Sequence, residues 1–587
     1  MLYTIEMKNQ QIVLAIAPNQ DRQKIYTLRH SIYAEELHQH STNSNQQLSD
    51  TLDSENNYIV AKQENEIIGF ISITSPNSKK YSVEKYFSRS EIPFAFDEYL
   101  YEIRLLTVLN KNRSSYVALS LMFAAFRWVQ SHGGRYVVAI CRADLLNMYR
   151  KAGLKPLGLS TVSGQVSYEL AVASTEDFEQ VVANNRYVYE AIQQKIDWQL
   201  PYLFFAPAAC YHGGSFFKAI GEDLQTLDKA TQIINADVLD SWFPPSPKVV
   251  TAIQENLKFL LQTSPPTHAE GLVKVIASSR GIHEQQILPG AGSSDLIFLS
   301  LPCFLNQNSK VLLLDPCYGE YIHVLEKVIH CKISRFNLYR EKGFEVNSID
   351  LLQEIKKGYD MVILVNPNSP TGVHLSKQEM EDLLLQVPLS TKVWIDETYV
   401  EYVGSNESLE QFAVTTENVI ICKSMSKVYA LSGVRSAYLC CSPHLIEILK
   451  QYSPPWAISL PAQAAAIAAF SDEKYYQHQY ATTHWLREKL KQDLEELGIT
   501  EIINGVANFL LFFLPANAPS VKDFIEGCRQ KNLYLRDVSN MGKNIGEQAV
   551  RIAVKDAETN ERMVKLIKET LVELTLEREK LLSKNQH

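Results

Sequence analysis

No pair of cysteines in this chain is spaced C-x-x-C, and its nine cysteines are scattered, with only Cys440 and Cys441 adjacent. That excludes a disulfide framework and the usual zinc spacings, so no metal centre is expected and a reducing compartment, the cytoplasm, is. No apolar run reaches the roughly 18–20 residues of a membrane span. The densest, A-N-F-L-L-F-F-L at 507–514, has the length of a strand. The first residues, M-L-Y-T-I-E-M-K, lack a basic stretch followed by an apolar one, so no signal peptide is expected. Positive charge is also short: the net charge of −9 argues against nucleic acid as a bulk partner. Internal repeats are absent. What is present is ordinary for a globular protein, 46% hydrophobic and 21% charged residues over a length of 587, enough for more than one core.

Residues 1–170 read as one α/β unit. Strands are expected at Gln11–Ala17, Tyr58–Ala61, Ile67–Ile73, Tyr101–Val108 and Tyr136–Ile140, with helices at Asp21–His38 and Ser115–Ser131. Residues 171–204 read as a polar, mostly helical linker. From 205 to 587, short apolar runs alternate with helical patterns: Lys310–Leu314, Met361–Val365, Val393–Ile395 and Val419–Cys422 suit buried strands of a largely parallel sheet covered on both faces. Residues 557–585 read as a charged final helix. In such sheets ligands bind beyond the carboxyl ends of the strands, so the loops there carry the chemistry.

Those loops are rich in it. L-P-G-A-G-S-S-D, 288–295, offers backbone N–H groups and the hydroxyls of Ser293 and Ser294 at a helix start, either a capped turn or a phosphate cradle. D-P-C-Y-G-E-Y, 315–321, places Tyr318 where it either packs in the core or stacks on a flat ligand. V-N-P-N-S-P-T-G, 365–372, is a proline-rich turn with Asn368 and Ser369. In W-I-D-E-T-Y, 394–399, Asp396 directly follows an apolar strand, where a carboxylate is costly unless it caps the next segment or meets a cation. Last comes K-S-M-S-K-V-Y-A-L-S-G-V-R, 423–435, in which Lys427 stands among Ser424, Ser426 and Arg435. A lysine used covalently needs an aldehyde cofactor or carbonyl substrate, and hydroxyls with an arginine suit a phosphate monoester. Together the five stretches match pyridoxal 5′-phosphate chemistry.

Residues from about 205 to 580 resemble the fold-type-I pyridoxal-phosphate superfamily, in its histidinol-phosphate aminotransferase and threonine-phosphate decarboxylase branch. N-P-N-S-P-T-G, D-E-T-Y and S-M-S-K followed by S-G-V-R carry the resemblance. It implies a large α/β/α domain with a small C-terminal domain, and a homodimer. It implies that Lys427 holds the cofactor and moves protons, that Asp396 pairs the pyridine nitrogen, and that Tyr399 bonds the ring hydroxyl. Tyr318 would stack on the ring, with Asn368 and Ser369 beside it. Ser293, Ser294, Ser424, Ser426 and Arg435 would hold the phosphate. In V-R-I-A-V, 550–554, Arg551 would take the substrate carboxylate, and in Y-L-R-D, 534–537, Arg536 would meet a second group or form an ion pair. The pattern departs from the family at Ser369, where asparagine is usual, and at T-S-P-P-T-H, 263–268, which has His268 but no tyrosine to reach a neighbouring subunit. Y-H-G-G-S, 211–215, is similar to the decarboxylase branch, and I-N-A-D-V-L-D-S-W-F-P-P-S-P, 234–247, is similar to capreomycidine synthase, a cyclase.

Residues 1–170 resemble the GNAT acyltransferases of the acyl-amino-acid and acyl-homoserine-lactone synthase type, through Y-T-L-R-H-S-I-Y-A-E-E-L (26–37), Y-E-I-R-L-L-T-V (101–108) and L-N-M-Y-R-K-A-G-L (146–154). The resemblance makes Tyr149 the acid that protonates the departing thiolate and offers Glu102 as a base or a strand-face carboxylate. The phosphate loop R-S-S-Y-V-A, 113–118, keeps Arg113 and Ala118 but has Tyr116 where glycine lets a pyrophosphate approach, so the acyl donor is either acyl-CoA or an acyl-carrier protein. The expectation is a bifunctional enzyme of specialised small-molecule biosynthesis, an aminotransferase-type transformation of an amino acid coupled to N-acylation. The alternatives are a decarboxylase or cyclase with a non-catalytic recruitment domain, and a ligand sensor without turnover.

Overall fold

The computed structural model describes residues 11–76, 78, 80–113, 116–206, 213–221 and 224–584. It divides into two compact units, Met1–Ala208 and Ala209–His587. Among the described residues no helix is long and apolar enough to cross a membrane.

The first unit is built on an eight-stranded sheet of β1 (Ile12–Ile16), β2 (Asn57–Gln63), β3 (Glu66–Thr74), β4 (Leu100–Val108), β5 (Tyr136–Arg142), β6 (Lys155–Ser163), β7 (Val166–Ser174) and β8 (Ile196–Gln199), in the order β6-β7-β5-β4-β3-β2-β1-β8. The helix Val117–Ser131 packs on one face through Leu121, Phe123, Phe126 and Val129. β4 follows β3 as far as Val108 but pairs with β5, in parallel, only from Leu100 to Glu102. Beyond Glu102 the two strands part. A cavity of about 230 Å³ opens there, lined among others by Arg29, Arg104, Arg142 and Tyr149.

The stretch expected as a linker belongs to this unit. Thr175–Asn184 and Arg186–Gln193 are helices, but β8 follows them and pairs in parallel with β1. The segment is tied down by a few large side chains: Tyr189 and Phe204 lie against Phe123 with ring centroids 5.0 and 4.4 Å apart. Anchors this sparse do not announce β8 in the sequence, and the first compact unit runs through this stretch to 208.

The second unit holds a seven-stranded sheet: β10 (Ile287–Gly290), β11 (Lys310–Asp315), β12 (Lys332–Asn337), β13 (Met361–Val365), β14 (Lys392–Asp396), β15 (Val419–Ser424) and β16 (Ala437–Cys441), ordered β10-β16-β15-β14-β13-β11-β12. β11 to β15 run in parallel, and β16 and β10 close one edge antiparallel. Alternate residues of each strand enter different cores. Leu312, Leu364, Ile395 and Ile421 join one, and Leu313, Ile363, Trp394 and Ile420 the other. Two buried faces explain why these strands read as unbroken apolar runs. A second sheet, β17 (Glu501–Ile502), β18 (Phe509–Phe513), β21 (Ala549–Ala553) and β20 (Arg536–Asp537), forms the small domain, and the pair β9 (Ile234–Asn235) and β19 (Leu533–Tyr534) ties the segment after β9 to it. The final helix is Ala557–Lys584.

Candidate active site

Lys427 lies just past the end of β15, and its backbone is fixed before its side chain acts. Its carbonyl accepts from Ser241 Oγ at 2.5 Å and Tyr402 OH at 2.9 Å. The next two carbonyls accept phenols as well, Val428 from Tyr480 at 2.8 Å and Tyr429 from Tyr476 at 3.2 Å. The Lys427 side chain is 19% exposed, and its ammonium donates to Asp240 Oδ1 at 2.7 Å and to Ser432 Oγ at 3.4 Å.

Gly292, with a φ of +99°, stands at the start of the helix Ser293–Phe304, where the sequence offered a phosphate cradle or a capped turn. A methyl group added to Gly292 would lie 2.3 Å from Arg435 Nη2, so glycine is what lets the guanidinium sit over the helix start. Arg435 also donates to Ser426 Oγ at 3.3 Å, and the Ser426 N–H donates to Ser424 Oγ at 3.3 Å. The guanidinium thus lies beside both the helix start and the Ser426 hydroxyl, a donor set that suits a phosphate. Ser294 is shared: its hydroxyl donates to buried Glu320 at 3.0 Å, a carboxylate the sequence reading passed over.

Asp396 is buried at the end of β14 and accepts from Tyr321 OH at 2.7 Å, Thr398 Oγ1 at 2.6 Å and the Thr398 N–H at 2.9 Å. Burial raises its pKa above the usual carboxylate range, against the pull of those hydrogen bonds. Among the described residues it forms no ion pair, so a ligand bringing a cation here would meet a carboxyl with no cation of the protein's own beside it. Tyr318 precedes the short helix Gly319–His323 and lies edge-on to Tyr321. Tyr399 is buried edge-on to Phe509, ring centroids 5.4 Å apart. Asn368 is buried, with its Nδ2 on Pro316 O at 3.2 Å and its Oδ1 without a hydrogen bond.

Arg551 and Arg536 are cross-strand partners on β21 and β20. Arg551 is buried and donates to Ser369 Oγ and to the Asp237 carbonyl, both at 3.3 Å, while its Nε has no hydrogen bond. No carboxylate pairs with it among the described residues, and burial lowers its pKa. Such a guanidinium suits an incoming carboxylate. Arg536 differs, because the Asp237 carboxylate stands 3.7 Å away. Ser369, expected beside the ring, thus has its hydroxyl on Arg551. His268 is exposed and lines a separate cavity with Glu270 and Lys450, apart from these residues. Tyr211 and His212 of Y-H-G-G-S lie outside the described residues, and Gly214 N–H donates to Asp237 at 3.1 Å.

Besides Glu320, three charged residues here were not singled out from the sequence: Asp237, Asp240 and Lys555. Lys555 follows β21 four residues after Arg551, and its Nζ donates to the Asp240 carbonyl at 3.5 Å. Burial brings its pKa down to about 8, with Asp240 opposing and Lys427 adding to the fall. Burial pushes the Asp240 carboxyl up, but Lys427 and the Ser432 hydroxyl outweigh it and hold it below the usual range.

In the first unit, Tyr149 lines the cavity between β4 and β5, and burial keeps its hydroxyl protonated far above neutrality. Glu102 does not face that cavity as a free base. It is buried, with its oxygens taken by Ser82 N–H at 2.7 Å, Ser82 Oγ at 2.5 Å and Val83 N–H at 2.9 Å, so it anchors a loop. Arg113 is paired with Glu36, Nη2 to Oε2 at 2.8 Å, and Ser114 and Ser115 lie outside the described residues.

Known proteins share the second unit. The family Aminotransferase class I and II matches residues 234–567. Histidinol-phosphate aminotransferase of Acinetobacter baumannii (strain AYE) is 30% identical over 350 residues, 59% of this chain and 92% of that one. The enzyme of the same name from Staphylococcus epidermidis is 28% identical over 332 residues, 56% of this chain and 88% of its own. The fold is similar to the histidinol-phosphate aminotransferase from Clostridium acetobutylicum, with a TM-score of 0.53, 23% identity and coverage of 58% of this chain and 100% of that one. It is also similar to that from Sinorhizobium meliloti in complex with pyridoxal-5′-phosphate, with a TM-score of 0.54, 17% identity and coverage of 63% and 100%. With a match spanning more than half its length, laid over the lysine, the buried aspartate and the paired arginines, this chain belongs to the aminotransferase class I and II family.

Proposed function

We propose that the second unit is a pyridoxal-phosphate-dependent enzyme performing an aminotransferase-type transformation of an amino acid, and that the first unit is a GNAT-like N-acyltransferase serving the same small-molecule biosynthesis. The observation that carries the first part is the joint placement of Asp396 at the end of β14, Lys427 just past β15 and the Gly292–Arg435 cup after β10, with Arg551 of the small-domain sheet reaching Ser369 in the loop after β13. Their chemistry fits the group: hydroxyls and a guanidinium for a phosphate, a buried carboxylate for a protonated ring, an amine for an aldehyde. When bound, pyridoxal phosphate supplies an electron sink for the bonding pair of the substrate α-carbon. Arg551 holds the substrate carboxylate and so fixes which bond at that carbon can break. Lys427 takes the proton from the α-carbon and returns it. Asp396, held by Tyr321 and Thr398, keeps the ring nitrogen protonated. Tyr318 and Tyr399 supply aromatic faces and a hydroxyl at the ring edge. Because Asp237 already stands beside Arg536, the proposed substrate carries no phosphate on its side chain.

The reading of the first unit is supported by the parting of β4 and β5 and by Tyr149 at the cavity between them. Arg113 is engaged by Glu36 and Tyr116 stands at the loop, which favours an acyl-carrier protein over coenzyme A as donor. The proposal includes a homodimer.

The test is product formation by cofactor-loaded protein given an amino-acid pool and no 2-oxo acid, followed by mass spectrometry. Transamination stops after about one turnover per site and restarts on adding an oxo acid. Continued turnover overturns it in favour of decarboxylation or cyclisation, which the product mass separates. For the first unit, thiol release from an acyl thioester should fall about a hundredfold in Tyr149→Phe, and no thiol release from any donor overturns the acyltransferase.

A further inference from the structure

Lys427 has two tasks in the proposed reaction, and each needs its amine in a different place. With pyridoxal phosphate bound, Lys427 would hold its aldehyde at rest, and once a substrate amine had taken that place its own amine would be free and needed near the substrate α-carbon. A flexible four-carbon side chain does not stay in place unaided.

The structure supplies a hold. Asp240 Oδ1 accepts from Lys427 Nζ and from Ser432 Oγ, each at 2.7 Å. Ser432 is tied in turn to the phosphate cup, since its carbonyl accepts from Arg435 Nη1 at 3.1 Å and its hydroxyl also reaches Ser426 O at 3.1 Å. Asp240 is itself pinned. Leu239 O accepts from buried Asn508 at 3.0 Å, Asp240 O from Lys555 at 3.5 Å, and Ser241 Oγ donates to the Lys427 carbonyl. The same short segment receives the substrate arginine, because Asp237 O accepts from Arg551. One turn of chain thus touches the group that binds the substrate carboxylate and the amine that moves the substrate proton. Lys555 supplies a second cation, which keeps Asp240 ionised when Lys427 leaves it.

We propose that Asp240 is the positioning residue of Lys427, holding the released amine through a charge-assisted hydrogen bond, with Ser432 and Lys555 keeping the carboxylate in place. The proposal rests on the cofactor reading above, and the experiment separates the two. Wild type, Asp240→Asn and Asp240→Glu are prepared free of cofactor and treated with limiting trinitrobenzenesulfonate, and labelling at Lys427 is followed by peptide mass spectrometry with surface lysines as references. Loss of a hydrogen bond between charged groups should speed labelling of Lys427 roughly tenfold or more in Asp240→Asn, and Asp240→Glu should restore most of the protection. In the loaded enzyme, Asp240→Asn should lower kcat with little change in KM and raise the isotope effect of an α-deuterated substrate. Borohydride fixing of pyridoxal phosphate on wild type is the control. An adduct at Lys427 with equal labelling rates in all three proteins overturns the positioning role alone. A missing adduct overturns the cofactor reading and this proposal with it.

Discussion

Two lysines four residues apart, Lys423 and Lys427, sit at the end of the same strand and do opposite things. Lys423 is buried, with Glu401 at 3.1 Å, Glu397 at 3.2 Å and Glu410 at 3.8 Å. Arg280 joins the cluster, 2.6 Å from Glu401 and 3.4 Å from Glu410. Burial disfavours the Lys423 ammonium, but three carboxylates outweigh it and raise its pKa. Lys427 faces one carboxylate and remains partly open. A cation surrounded by acids is locked into structure, and a cation with a single acid can change partners. The arginines repeat the lesson: Arg536 is beside a carboxylate, whereas no carboxylate pairs Arg551 among the described residues, and it donates to Ser369.

The largest effect expected from breaking this contrast is on chemistry. Lys427→Ala should reduce turnover by at least about a thousandfold, while the melting temperature stays within a few degrees of wild type. Absorbance of covalently held cofactor should vanish in parallel. A large loss of stability would mean that Lys427 is as structural as Lys423.

Lys423→Met inverts the expectation. Removing one partner of a buried ion network costs about 3–5 kcal/mol because carboxylates are left uncompensated, so urea denaturation should show that loss even in cofactor-free protein. Glu401 gives the pH window. Burial alone would raise its pKa, but Lys423 and Arg280 hold it down to about 2, from an ordinary 4.5. A depressed carboxyl contributes stability that is complete above the unfolded value and is lost as pH falls, here from about 4.5 toward 2. In Lys423→Met that acid loss should move to higher pH.

The contrast also marks what could be read in the sequence. The motifs at 366–372, 396–399 and 424–435 were legible because parallel strands bury both faces, so each apolar run announces the loop that follows it. Asp240 was not, since nothing local in A-D-V-L-D-S says that its carboxylate meets an amine 187 residues away. Glu102 stayed open between two readings for the same reason: a carboxylate on a strand reads alike whether it faces a cavity or, as here, loop N–H groups. β8 escaped because its partner is β1 at the far end of the unit, a pairing set by tertiary contact and not by local pattern.

Arg551→Gln tests the less compensated arginine. Losing a buried guanidinium that meets a carboxylate should raise KM for the amino acid by roughly 30- to 100-fold, with a smaller fall in kcat from looser orientation. Arg551→Lys should recover little, because a point charge replaces a fork that also holds Ser369 and the Asp237 carbonyl.

The smallest effect sharpens the comparison most. Asp237→Asn leaves the shape of the segment unchanged and removes the carboxylate beside Arg536. If Arg536 is held in a structural role by that charge, as Lys423 is by its three acids, then releasing it should turn it into a second anion site. Binding of amino acids with an acidic or phosphorylated side chain should tighten about tenfold, and neutral substrates should change by less than about threefold. The cofactor absorbance shift on titrating each ligand gives both numbers. The Asp237 carbonyl still serves Arg551, so the substrate carboxylate remains bound in the variant. Equal changes for acidic and neutral ligands would place Asp237 in the scaffold of the segment, and the side-chain specificity would then have to come from another wall of the site.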